Sequence, residues 1–162
     1  MFRTILVATD LETRSAAALR TAADLARKFG SRLFAAHVVK MPPTLRKWKG
    51  AIFRDDLKAY EALLQRQIQT SETRLEQALS RANATSSGGV RAIVRAGDPA
   101  ETLAQIVDEI DPDLVVVARG RDGALGDVAE LLVRLTGRTV MVAPVRAKRA
   151  WPQRRARVIR RT

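Results

Sequence analysis

Residues 114–118 read as a buried strand that runs into a glycine loop, Arg119-Gly120-Arg121-Asp122-Gly123-Ala124-Leu125-Gly126-Asp127, and then into an apolar helix. α/β proteins build phosphate sites in this order. Glycine lets the backbone approach an anion, and the helix start offers unpaired N–H groups and the positive end of its dipole. Here, however, the helix opens with Asp127, a carboxylate where a phosphate would sit. Like charges ~4 Å apart repel by about 1 kcal/mol in water and by several times more when partly buried. A lost charge-assisted hydrogen bond adds roughly 1.5–3 kcal/mol. Asp127 has a competing structural use as the N-cap of the helix.

Other residues capable of chemistry are few. Asp10 ends the first strand, where a carboxylate serves either a ligand or the turn into the next helix. His37 lies within a strand and reads as a core histidine. Asp55 and Asp56 open a long helix, where its dipole favours them. Asp108, Glu109, Asp111 and Asp113 surround a helix end and read as solvated surface. With no cysteine and one histidine, thiolate metal sites and cysteine nucleophiles are excluded. No nucleophile–base–orienter set can be assembled, so hydrolytic catalysis is not expected.

These residues need a scaffold, and 162 residues suffice for one domain with a core. The alternation of short apolar, β-branched runs with helical stretches supplies it. Strands are expected at 4–9, 33–39, 90–96, 114–118 and 139–143. The first helix uses Leu19, Ala22, Ala23, Ala26 and Phe29, with Ser15 or a neighbour as its cap and Gly30 as its left-handed stop. A long helix over 51–84 carries Phe53, Leu57, Tyr60, Leu64, Ile68, Leu75 and Leu79 on one stripe, with a polar interruption at Ser71. Asp98-Pro99-Ala100-Glu101 combines an N-cap aspartate with proline at the first helical position. Five strands alternating with four helices imply a parallel sheet covered on both faces. Ligands then bind beyond the carboxyl ends of the strands.

The net charge of +12 is concentrated at one end. Eight basic residues and no acid lie in 146–162, whereas 1–145 carry 21 basic and 17 acidic groups. This divides the chain into a domain, 1–145, and a basic tail. Arg149, Trp151, Arg154, Arg155 and Arg157 could meet a polyanion, a nucleic acid or an anionic surface, with Trp151 stacking on an exposed base. Trp48, among Arg46, Lys47 and Lys49, offers a smaller site of the same kind. No apolar run approaches the ~20 residues of a membrane span, and no signal-peptide pattern opens the chain. A soluble, cytoplasmic protein is expected.

Over residues 2–145 the chain resembles the universal stress protein family. The resemblance rests on Phe2–Asp10, on Ala36-His37-Val38-Val39, on Arg95–Glu101, on Asp113–Val117 and on Gly126-Asp127-Val128-Ala129-Glu130. It implies a single three-layer α/β/α domain with a five-stranded parallel sheet, Rossmann-like and similar to the adenine nucleotide alpha hydrolases. It also implies a homodimer paired through Thr139–Ala143 and a nucleotide site using Thr9, Asp10, Val38, Gly97, Gly120, Arg121, Gly123, Gly126 and Asp127. ATP-binding members hold the phosphates with Gly-x2-Gly-x9-Gly-(Ser/Thr). In this chain Gly126 follows Gly123 after two residues rather than nine, and Asp127 replaces the hydroxyl. The expectation is a non-enzymatic stress-response module with a degenerate nucleotide site and no bound cofactor. The alternative is an ATP/Mg-binding protein that uses Arg119 or Arg121 in the shortened loop, with slow ATP hydrolysis left open.

Overall fold

The computed structural model describes residues 1–41, 54–120 and 126–144, with residues 54–56 and 127 described in their backbone alone. The elements run β1 (Thr4–Ala8), α1 (Ala16–Phe29), β2 (Arg32–Lys40), α2 (Arg54–Arg81), β3 (Val90–Gly97), α3 (Pro99–Ile110), β4 (Leu114–Ala118), α4 (Asp127–Thr136) and β5 (Thr139–Ala143). A 3-10 turn, Thr13–Ser15, leads into α1 and was not anticipated from the sequence. Phe53, the loop around Trp48, the tail beyond residue 145 and its candidates Arg149, Trp151, Arg154, Arg155 and Arg157 lie outside the described residues.

The five strands form one parallel sheet in the order β3-β2-β1-β4-β5. β1 sits at the centre and all five of its residues are buried, as a strand covered on both faces requires. One face carries Ile5, Val7, Leu33, Ala35, Leu114 and Val116 against α1 and the C-terminal half of α2, through Leu19, Ala22, Leu75 and Leu79. The other carries Leu6, Ala36, Val115 and Val117 against α3 and α4, through Leu103, Ile106 and Leu132. The chain runs outward from β1 to β3, then returns to β4 on the opposite side. Between β1 and β4 the strand order reverses, with Ala8 level with Val117. That gap is where α/β sheets open a ligand crevice.

Local chemistry sets the ends of the elements. Gly30 adopts φ 66° and its N–H donates to the Ala26 carbonyl, the left-handed stop expected there. Asp98 caps α3 by accepting from the N–H groups of Ala100 and Glu101. Ser15 precedes α1 but does not cap it with its side chain. Its hydroxyl instead donates to the Glu12 carbonyl at 2.7 Å and accepts from Thr9 at 2.8 Å. The α2 stripe is present, but it packs fully only at Ser71, Leu75 and Leu79. Tyr60, Leu64 and Ile68 are half-buried, and Leu57 is exposed.

The acidic group around the end of α3 is more than solvated surface. Glu109 forms a two-pronged pair with Arg95 of β3, and Asp111 pairs with Arg138. Asp113 accepts from the backbone N–H groups of Thr4 at 2.8 Å and Arg3 at 2.7 Å. Those bonds, Thr4 first, hold its carboxyl below the ordinary aspartate value. A depressed value means that the ionised form stabilises the fold, an effect present above about pH 4 and lost as pH falls through the folded value. Asp113→Ala should therefore melt below the native protein at pH 7, and the gap should narrow as the pH is lowered below 4. Calorimetric melting at several pH values reads this directly.

Candidate functional site

An open cleft of about 800 Å³ lies across the carboxyl ends of β1, β2 and β4, within the size range of small-molecule sites. Its floor is apolar, from Ala8, Val38, Val39 and Val117. On the α3/α4 side it is bounded by Leu103, Arg119, Gly120, Gly126, Val128 and Ala129. On the α1/α2 side, α2 contributes Arg66, Gln67, Thr70, Ser71 and Arg74.

Of the nucleotide-site residues expected from the sequence, Thr9, Asp10, Val38, Gly120 and Gly126 line this cleft. Gly97 is not among the lining residues. Its Cα faces the Thr102 hydroxyl so closely that a Cβ would collide with it, and its carbonyl accepts from Met41 N–H at 3.1 Å. Glycine there permits β3 to meet α3. Arg121 and Gly123 lie outside the described residues. Asp127 is not the N-cap of α4. Gly126 has the extended cap conformation, with φ −71° and ψ 154°, and its carbonyl takes the first helical bond, from Glu130 N–H. Asp127 is consequently the first helical residue, a place where the dipole still favours a carboxylate.

Thr9 and Asp10 are engaged by their own loop. The Thr9 hydroxyl donates to Ser15 and accepts from Leu11 N–H at 3.0 Å. Asp10 accepts from Glu12 N–H at 2.9 Å and from Arg14 Nε and Nη2 at 3.0 and 2.7 Å. Burial works against the Asp10 charge, but the Glu12, Arg14 and Ser15 hydrogen bonds and the Arg14 charge outweigh it, and the carboxyl stays below its ordinary value. Asp10 thus forms the turn into α1, the structural use weighed for it, and remains ionised at neutral pH at the rim of the cleft.

His37 departs from expectation. It is half-buried and lines the cleft, and its Nδ1 lies 2.9 Å from the Thr9 carbonyl. A carbonyl can only accept, so Nδ1 donates this bond. The α2 wall was also missed, although Ser71 within the apolar stripe marked it. A helix whose stripe turns polar at one position faces something other than core there.

The charge around the cleft is one-sided. Asp10 is its one carboxylate among the described residues, and Arg14 takes it. Lys40, Arg66, Arg74 and Arg119 also line the cleft, and none makes an ion pair among the described residues. A low-dielectric crevice lined by unpaired cations concentrates anions. No group of acids, histidines or cysteines able to hold a metal ion occurs among the described residues.

A doubly wound parallel sheet with a cation-lined crevice at its reversal point defines a Rossmann-like α/β protein. The chain matches the universal stress protein family over residues 1–144, and it belongs to that family. It is similar in structure to the universal stress protein UspA from Lactobacillus plantarum, with TM-score 0.70, 19% identity, and coverage of 88% of this chain and 97% of that one. A universal stress protein in complex with cAMP superposes with TM-score 0.58 and 21% identity, over 89% and 98% of the two chains. A universal stress protein from Archaeoglobus fulgidus in complex with dAMP gives TM-score 0.51 and 19% identity, over 88% and 98%. At these identities the likeness is one of fold. No curated protein matches the chain. No helix among the described residues is long and apolar enough to cross a membrane.

Proposed function

We propose that this chain is a non-enzymatic binding module of the universal stress protein family, in which the nucleotide crevice persists but the triphosphate cradle does not. The observation that carries this reading is the closeness of the loop ends. A Cβ built on Gly126 would lie 3.7 Å from Gly120 Cα, so the two glycines stand side by side with five residues between them. Five residues between such close ends are too little backbone to wrap several phosphates, and Asp127 follows directly, with a charge that opposes them. Ligand at 100 times its Kd would stabilise the fold by about 2.7 kcal/mol. For a domain of this length that raises Tm by about 5–10 °C. Saturating ATP with Mg²⁺ should leave Tm unchanged, both in the native protein and in Asp127→Ser, since the hydroxyl alone does not restore the missing loop. A shift of that size in either would contradict the reading.

Arg119 favours a second reading. It lines the cleft beside Gly120 without an acidic partner among the described residues, a cation available to a single phosphate. Relatives are described in complex with cAMP and dAMP, which carry a single phosphate. Under this reading AMP binds, and Arg119→Ala weakens it about tenfold or more, the effect of one lost charge-assisted bond.

The homodimer belongs to the proposal as well. β5 is an edge strand with Val140, Met141 and Val142 half-buried, and the adjoining α4 exposes Val133 and Leu135 by 50% and 61%. An unpaired apolar edge beside exposed apolar side chains suits a second copy of the chain. Light scattering should return twice the chain mass, and Met141→Lys should halve it.

A further inference from the structure

The wall of the cleft contributed by α2 is the least explained part of the molecule. Arg66, Thr70 and Arg74 follow one another at intervals of four, so they share one face of the helix, and all three line the cleft. Ser71 sits beside them, 9% exposed, in a position the apolar stripe would otherwise fill, and its hydroxyl makes no hydrogen bond among the described residues. The Thr70 hydroxyl donates to the Arg66 carbonyl at 2.8 Å and so retains acceptor capacity only. Arg74 makes one long contact, 3.4 Å from the Leu11 carbonyl, and Arg66 has no partner among the described residues. Across this wall stands His37, whose ring is fixed by the Thr9 carbonyl. α2 packs on the face of the sheet opposite α4, so these groups reach the cleft from the side away from α4.

We propose that this wall is a second anion seat within the cleft, one that holds the phosphoryl group of a small molecule between Arg66 and Arg74. Cα atoms eight residues apart on a helix are about 12 Å apart, so the two cations do not crowd each other and their long side chains can converge over Thr70. Two guanidinium forks and the Ser71 hydroxyl offer donors from three directions. The terminal oxygens of a phosphoryl group can accept all three, whereas the two oxygens of a carboxylate cannot without sharing. The apolar floor of Val38, Val39 and Val117 then receives the rest of the ligand. The seat rests on the cleft being the ligand site, as proposed above, but not on the state of the glycine loop.

The test is titration calorimetry of the full chain with inorganic pyrophosphate, comparing Arg66→Gln/Arg74→Gln with a charge-matched control, Arg20→Gln/Arg91→Gln, whose arginines lie outside the cleft. Arg66 and Arg74 are exposed, so both variants should fold, and unchanged melting confirms this. The native protein should bind pyrophosphate, the α2 variant about tenfold or more weakly, consistent with losing charge-assisted bonds, and the control within about twofold of native. Equal weakening in both variants would mean that net charge alone attracts the probe. That result, an unaffected α2 variant, or no binding by the native protein would each overturn the seat. Failure of the closed-loop reading shows up separately, as a response to ATP with Mg²⁺ that persists in Arg66→Gln/Arg74→Gln.

Discussion

Gly88→Ala is expected to destabilise the fold by about 3 kcal/mol, lowering Tm by roughly 6–12 °C in a domain of this size. A Cβ on Gly88 would lie 2.5 Å from Ser31 C, 2.6 Å from Arg32 N and 2.7 Å from Ser31 O, all backbone atoms at the start of β2. None can move without disturbing the sheet. The same turn is held by Ser86, whose hydroxyl bonds the Ala26 and Ser31 carbonyls, and by the Gly89 carbonyl, which accepts from Leu33 N–H. Displacing it would disrupt the entry to β3. Gly89 provides the contrast: it has φ 87° but nothing within 4 Å of a built Cβ, so alanine there meets only backbone strain of about 1 kcal/mol. Melting of the two variants side by side should show Gly88→Ala as clearly the worse. Equal losses would mean that turn conformation, rather than packing against β2, holds β3 in place.

Leu75→Ala carries the second large effect, and it reaches the cleft. Leu75 is fully buried against the sheet in the layer formed by Leu19, Leu33 and Val116. Removing a buried leucine costs about 2–5 kcal/mol, depending on how far the site collapses. One turn earlier on α2 is Ser71, and beyond it Arg66 and Thr70 face the ligand space. A loosened Leu75 therefore loosens the cleft wall, and ligand affinity should fall together with stability. Leu63, on the same helix but 54% exposed, should tolerate alanine within about 0.5 kcal/mol. Denaturant unfolding of both variants distinguishes a helix anchored through its C-terminal half from one anchored along its whole length.

That uneven anchoring shows what the sequence could and could not convey. All five strands fall within two residues of expectation, because each is a short apolar run bounded by a turn former. Gly30 and Asp98 announced their roles through single-residue chemistry that needs no tertiary context. The spacing of the α2 stripe was also legible, but its depth of burial was not. Periodicity gives the direction a side chain faces and not whether sheet lies beneath it, so Leu57 and Leu79 looked equivalent. Asp127 was placed one position early because a carboxylate before a helix resembles a cap, whereas the extended φ and ψ of Gly126 decide the start.

The candidate site was legible only where the chain crosses the strand ends in sequence order. Thr9, Asp10, Val38, Gly120 and Gly126 lie at those ends and could be found one strand at a time. Arg66, Thr70 and Arg74 reach the same cleft from the middle of a helix, and only the three-dimensional crossing of α2 over the sheet brings them there. Ser71 was the local sign of that crossing. Asp10 shows a different limit: the sequence offered ligand contact and turn formation together, and Arg14, four residues on, is the partner that ties it to the turn.

Under the proposed function the crevice has kept its floor and lost its triphosphate cradle. Calorimetric titration of the native protein with ATP and Mg²⁺ is the decisive experiment. No saturable binding in the micromolar range is expected, because Gly120 and Gly126 stand side by side with only five residues between them and Asp127 follows directly. Saturable micromolar binding of ATP that survives Arg66→Gln/Arg74→Gln would contradict that reading and would point to the short arginine-bearing loop as the phosphate site.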